Sequence, residues 1–142
     1  MKILLLFLTM LPLAAIAGSN EAIITGQSGS GRTEIRLSVQ DISGSVNSIS
    51  LSIDGESYEM KSFESETVVV DRDRGVFVLV AREGSKEVQF WMIPDSLRLV
   101  GESDNSESWE FRAIVRATDP RAEKQGLFAP DIELICKLDY EI

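Results

Sequence analysis

The amino-acid sequence predicts an all-β chain: a single antiparallel, meander-rich β-sandwich or flattened barrel of about 8–10 strands, with at most one short helix near residues 119–126. Three observations predict it. Apolar residues recur at every second position along most of the chain, which is the period of a strand with one buried face. The breaks between these runs are short and carry turn-forming residues. Only one stretch has both helical composition and helix-end signals.

The first element is not part of that sheet. Lys2 is followed by an apolar run from Ile3 to Ile16, broken only by Thr9 and Pro12, and the run closes on the small residues Ala15 and Ala17. This is the pattern of a secretory signal peptide, so residues 1–17 are expected to be cleaved and residues 18–142 to form a single all-β domain, exported to a periplasm or secreted. The run is shorter than the about 20 residues of a membrane span. Gly18 and Ser19, rather than a cysteine, follow the cleavage point, so no membrane anchor is expected.

Next comes "AIITGQSGSGRT" (22–33), with a spelling close to a phosphate-binding loop: Gly26, four residues, Gly31, Arg32, Thr33. That chemistry needs a lysine reaching the terminal phosphates and a helix whose N-terminus faces the anion. Arg32 stands at the lysine position, and the "TEIRLSVQD" that follows alternates with period two. The stretch therefore reads as a Gly/Ser hairpin loop opening a strand, and nucleotide binding is excluded.

"TEIRLSV" places Ile35, Leu37 and Val39 on one face, and "ISLSI" does the same with Ile49, Leu51 and Ile53. Asp54-Gly55 then predicts a two-residue hairpin into "ESYEM", because the commonest such turn needs positive φ at both central residues. "DRDRG" (71–75) separates "TVVV" from "VFVLVA", and "EGSK" (83–86) separates that run from "EVQFWMI". Both "VFVLVA" and "VQFWMI" are apolar at nearly every position, which predicts central strands covered on both faces. The acidic "GESDNSES" (101–108) reads as a loop between "LRLV" and the alternating strand "SWEFRAIVRA". In "DPRAEKQG" (119–126), Asp119 can cap, Pro120 suits the first helical position and Gly126 can end one or two turns. The closing "DIELICKLDYEI" alternates too completely for a tail and is expected to pair inside the sheet beside an early strand. Cys136, the single cysteine, lies in phase with Ile132, Leu134, Leu138 and Tyr140 and reads as a small buried apolar side chain.

Composition narrows the function. The chain has 23 acidic and 14 basic residues and no histidine. A net charge of −9, about −10 once Lys2 leaves with the leader, disfavours nucleic acid and anionic membranes as partners. Without histidine, a histidine-based serine triad or a cysteine–histidine pair is excluded. Carboxylate pairs such as Glu107 with Glu110, or Asp71 with Asp73, leave a saccharide hydrolase as the weakest alternative. Asp71 and Asp73 also begin like a calcium loop, and Glu102, Asp104, Asn105 and Glu107 offer oxygen ligands, but neither segment has the full ligand order. No metal or other cofactor is expected.

Among the aromatics, Phe90 and Trp91 are neighbours and point to opposite faces of one strand, so one of them either lies under a cover or forms a contact patch. A cover is the expectation. The residues carrying a possible contact or pocket are Phe90, Trp91 and Trp109, with Glu102, Asp104 and Glu107 beside them. The resulting expectation is a non-enzymatic binding module, interaction or inhibitor-type, whose partner is another macromolecule such as a protein. The alternative is a carrier of a small apolar ligand in an interior lined by Phe77, Leu79, Phe90 and Trp109.

Overall fold

The computed structural model describes residues 21–40, 45–71 and 73–141. The expected leader at residues 1–17 lies outside them. Ten strands follow one another: β1 (Glu21–Ser28), β2 (Thr33–Gln40), β3 (Ser45–Ile53), β4 (Glu56–Met60), β5 (Ser65–Asp71), β6 (Val76–Glu83), β7 (Lys86–Met92), β8 (Arg98–Ser103), β9 (Ser106–Ala117) and β10 (Ile132–Glu141). All pairings are antiparallel, in the order β4-β3-β2-β1-β10-β9-β7-β6-β5. The long β9 uses one edge twice: its C-terminal part pairs with β7 and its N-terminal part with β8.

The sheet is curled into a half-barrel. Connectivity enforces this, because β4 and β5 stand at opposite ends of the strand order yet are joined by residues 61–64 alone. Such a link spans at most about 18 Å when extended. Side chains fasten the two ends: the Val46 amide donates to Glu66 Oε2 at 3.1 Å, the Lys61 amide to Glu83 Oε2 at 3.2 Å, and the Gly84 amide to Glu64 Oε1 at 3.0 Å.

The concave face holds the core. Ile24, Leu37, Ile49, Leu51, Met60, Leu79, Val88, Phe90, Phe111 and Leu134 are almost wholly enclosed. Phe90 stands edge-on to Phe77 at 5.7 Å and to Phe111 at 6.3 Å between ring centres, a favoured aromatic geometry. β10, the last strand, lies between β1 and β9, and its Cys136 is buried in this core, where burial pushes the thiol pKa up to about 12.

The turns follow the residues that make them. Asp54 and Gly55 have φ of 52° and 83°, the pair of positive values that the two-residue hairpin demands. A 3₁₀ helix, Pro120–Gln125, opens on Asp119, whose carboxylate accepts the Arg121 amide, and ends at Gly126 with φ of 65°.

Two expectations are corrected. The outer sides of β6 and β7 carry no cover among the described residues: Val76, Val78 and Val80 are 37%, 38% and 38% exposed. Valine favours strands through its branched side chain whether or not a second layer covers it, so an unbroken apolar run does not itself report a cover. The acidic segment 101–108 is strand on both arms, closing through a turn at Asp104 and Asn105.

Candidate interaction surface

The phosphate-loop spelling resolves into a hairpin. Gly26 lies inside β1 on the core face, where an added Cβ would sit 2.8 Å from Cys136 Sγ and 3.0 Å from Ile35 Cγ2. Ser28 Oγ accepts the Thr33 amide at 3.1 Å, Gly31 turns with φ of 73°, and Thr33 starts β2 rather than a helix. Arg32 turns away to Asp54 at 2.6 Å. Asp54 in turn meets Arg121 at 2.7 Å, and Arg121 grips Asp119 through Nε and a terminal nitrogen. These hydrogen bonds hold the Asp119 carboxyl below the usual carboxylate range, against the opposing effect of its partial burial. The chain of charges ties two hairpin tips to the 3₁₀ helix, which is a structural use of the loop's arginine.

Phe90 and Trp91 do point to opposite faces. Phe90 is fully buried, whereas Trp91 lies half-buried on the convex face, outside the core cluster. Register puts it in a cross-strand row: Val69 of β5, Val78 of β6, Trp91 of β7 and Ile114 of β9. Val69 is half exposed. On one side of the row lie Thr67, Val80, Gln89 and Arg116, and on the other Asp71, Val76 and Arg112. Arg116 stacks over the exposed Phe128 ring at 5.5 Å, and Arg112 and Arg116 pair with Glu133 at 3.0 Å and Asp131 at 3.9 Å. The result is an apolar centre with a rim of both charges, the composition of a contact surface. Val69, Val78 and Ile114 were not singled out by sequence reasoning. The signal available was the loss of alternation in "TVVV" and "VFVLV".

Trp109 and the acidic residues lie elsewhere, at the open end of the half-barrel. Trp109 Nε1 donates to Glu107 Oε2 at 3.1 Å, and both line an open groove of about 530 Å³ with Asp73, Arg74, Gly75, Asp95 and Leu97. Glu102 faces Glu107 across the β8–β9 pair, and Asp104 sits exposed at the tip. The six sequence-predicted residues therefore divide: Phe90 in the core, Trp91 on the convex face, and Trp109, Glu102, Asp104 and Glu107 around the acidic hairpin.

Several carboxylates are committed to partners. Asp71 Oδ1 accepts the Arg74 amide at 3.1 Å, and Glu110 pairs with Arg98 at 2.8 Å. No group of three or more carboxylate or thiol side chains able to hold a metal occurs among the described residues. The apolar interior offers a cleft of about 40 Å³ between residues including Phe77, Met92, Leu97 and Phe111, against roughly 300–1,000 Å³ for pockets that enclose small organic ligands. A broader groove of about 580 Å³ crosses the convex face over β1, β2 and β10, with Thr25, Arg36, Ser50 and Lys137 among its lining residues. No known protein family, curated protein or solved structure matches the chain.

Proposed function

We propose that this is an exported β module that works by non-enzymatic binding of another macromolecule, through the convex face of β5, β6, β7 and β9. One observation carries the reading: the row Val69, Val78, Trp91 and Ile114 has no covering element among the described residues, although β6, β7 and β9 bury Phe77, Leu79, Phe90, Ala113 and Val115 on their other face. Leaving several large apolar side chains together in water is unfavourable, at roughly 25 cal/mol per Å² of apolar surface, so a face of this composition gains most from a partner that covers it. The leader pattern at residues 1–17 supports the location outside the cytoplasm.

The test is site-specific photocrosslinking in the producing cells, with a benzophenone amino acid in place of Val80 or, as the control on the far flank, Ser50. Position 80 is expected to give a defined macromolecular adduct and position 50 none. Equal adducts from both positions, or none from position 80, would overturn the reading.

A further inference from the structure

We infer that the partner covering this face is a second copy of the same chain, packed face to face about a two-fold axis that runs parallel to the strands between β6 and β7. The inference rests on the binding role proposed for that face and names its occupant. A two-fold interface requires a surface that complements itself, and the cross-strand register supplies one.

Rotation about that axis exchanges β6 with β7 and β5 with β9 while keeping the rows in place. In the central row, Val78 then meets Trp91 of the second copy and Val69 meets its Ile114. Two rows away, the cross-strand partners Arg82 and Glu87 become Arg82 against Glu87 of the other copy. At the opposite end, Asp71 of β5 meets Arg112 of β9. Each contact occurs twice: in the central row apolar groups meet apolar groups, Arg82 and Arg112 each meet an anion, and in the intervening row Val80 meets Gln89 and Arg116 meets Thr67. The opposite choice, an axis across the strands, sets the row of Arg116 against the row of Arg112 and loses this match.

Charge on the whole molecule does not forbid the pairing. The net charge is −9, yet this face carries Arg82, Arg112 and Arg116 beside Asp71, Glu87 and Glu133. Repulsion between the remaining charges is screened beyond about 8 Å at physiological salt. Four strands about 4.8 Å apart and seven residues long give a face of roughly 20 by 23 Å. That is little over half of the about 800 Å² that each partner of a standard interface buries, and the convex curvature lowers it further, which places the dimer among weak, reversible ones.

Asp71 and Arg112 decide the matter, because within one chain they stand on strands separated by β6 and β7. Sedimentation of the exported chain over about 1 to 100 μM should show a monomer–dimer equilibrium. Asp71→Arg and Arg112→Asp should each weaken it tenfold or more, since each sets like charges face to face. Mixing the two variants restores both contacts and should give a heterodimer near wild-type affinity. Val78→Glu, at the centre of the row, should abolish association whether or not Asp71→Arg folds. Overturning results are a wild-type chain that stays monomeric throughout, or a mixture no tighter than its components. A monomeric wild type that still crosslinks from position 80 to a chain of different mass would end the second-copy assignment and leave the binding role standing.

Discussion

The two flanks of the convex face are built from the same kind of strand and present opposite surfaces. On β2, β3 and β4 the outward positions include Glu34, Arg36, Ser48, Ser50, Ser52, Ser57 and Glu59, while Ile49, Leu51, Ile53 and Tyr58 point inward and are buried. On β5, β6 and β7 the outward positions include Val69, Val76, Val78, Val80 and Trp91, with Phe77, Leu79 and Phe90 buried behind them. Both flanks contribute to one core, so the difference is not one of folding. It teaches that an outward-facing residue is free to follow solubility or contact once the inward face has satisfied the core, and the two flanks have followed different demands.

The largest expected effect tests whether the interior is indeed equivalent on the two sides. Phe90→Ala behind the valine flank and Leu51→Ala behind the serine flank should each cost about 2–5 kcal/mol in denaturant unfolding, through lost burial and the cavity left behind. A loss confined to one of them would break the comparison by showing that one flank is only loosely attached to the core. At the seam between the flanks, Gly26→Ala places a methyl group 2.8 Å from Cys136 Sγ, 3.0 Å from Ile35 and 3.2 Å from Leu134. It should destabilise by about 1–3 kcal/mol. Combining it with Cys136→Ala should recover part of that loss, because the two sites share one space. The smallest stability effects, within about 0.5 kcal/mol, belong to exchange of the surfaces themselves by Val78→Ser and Ser50→Val. Retention on a hydrophobic column should nevertheless fall for the first and rise for the second, which would sharpen the contrast between flanks.

The serine flank was the legible one. Strict alternation in "ISLSI" specifies both the strand and its buried side, and Asp54-Gly55 specifies the turn that follows. The cap and stop of the 3₁₀ helix were equally readable, since Asp119, Pro120 and Gly126 each act through a local backbone requirement. The valine flank was legible as strand and not as surface. An outward valine has the same spelling under a second layer as in water, so the position of Trp91 on an uncovered face had to come from the strand order. The acidic hairpin was hidden for a related reason: Glu102, Ser103, Ser106 and Glu107 have the composition of a loop, and they pair as strand because β9 continues past β7 and offers β8 a free edge. Trp109 alternates in phase with the core residues Phe111, Ala113 and Val115, but it reaches the barrel's open end, where the sheet no longer closes over it.

The place of β10 has a consequence for how the chain comes to be folded. The strand occupied by residues 132–141 is neither an edge nor an addition, since it joins β1 to β9 and carries Leu134 and Cys136 into the centre of the core. The sheet's two halves are therefore not continuous until nearly the whole chain has been synthesised, and the contact between β1 and β10 spans more than a hundred residues of sequence. Loop closure over such a separation is slow. A ribosome-bound or partly made chain can form the β1–β4 meander but not the finished barrel wall. It would stay open during synthesis until the last strand closes the sheet.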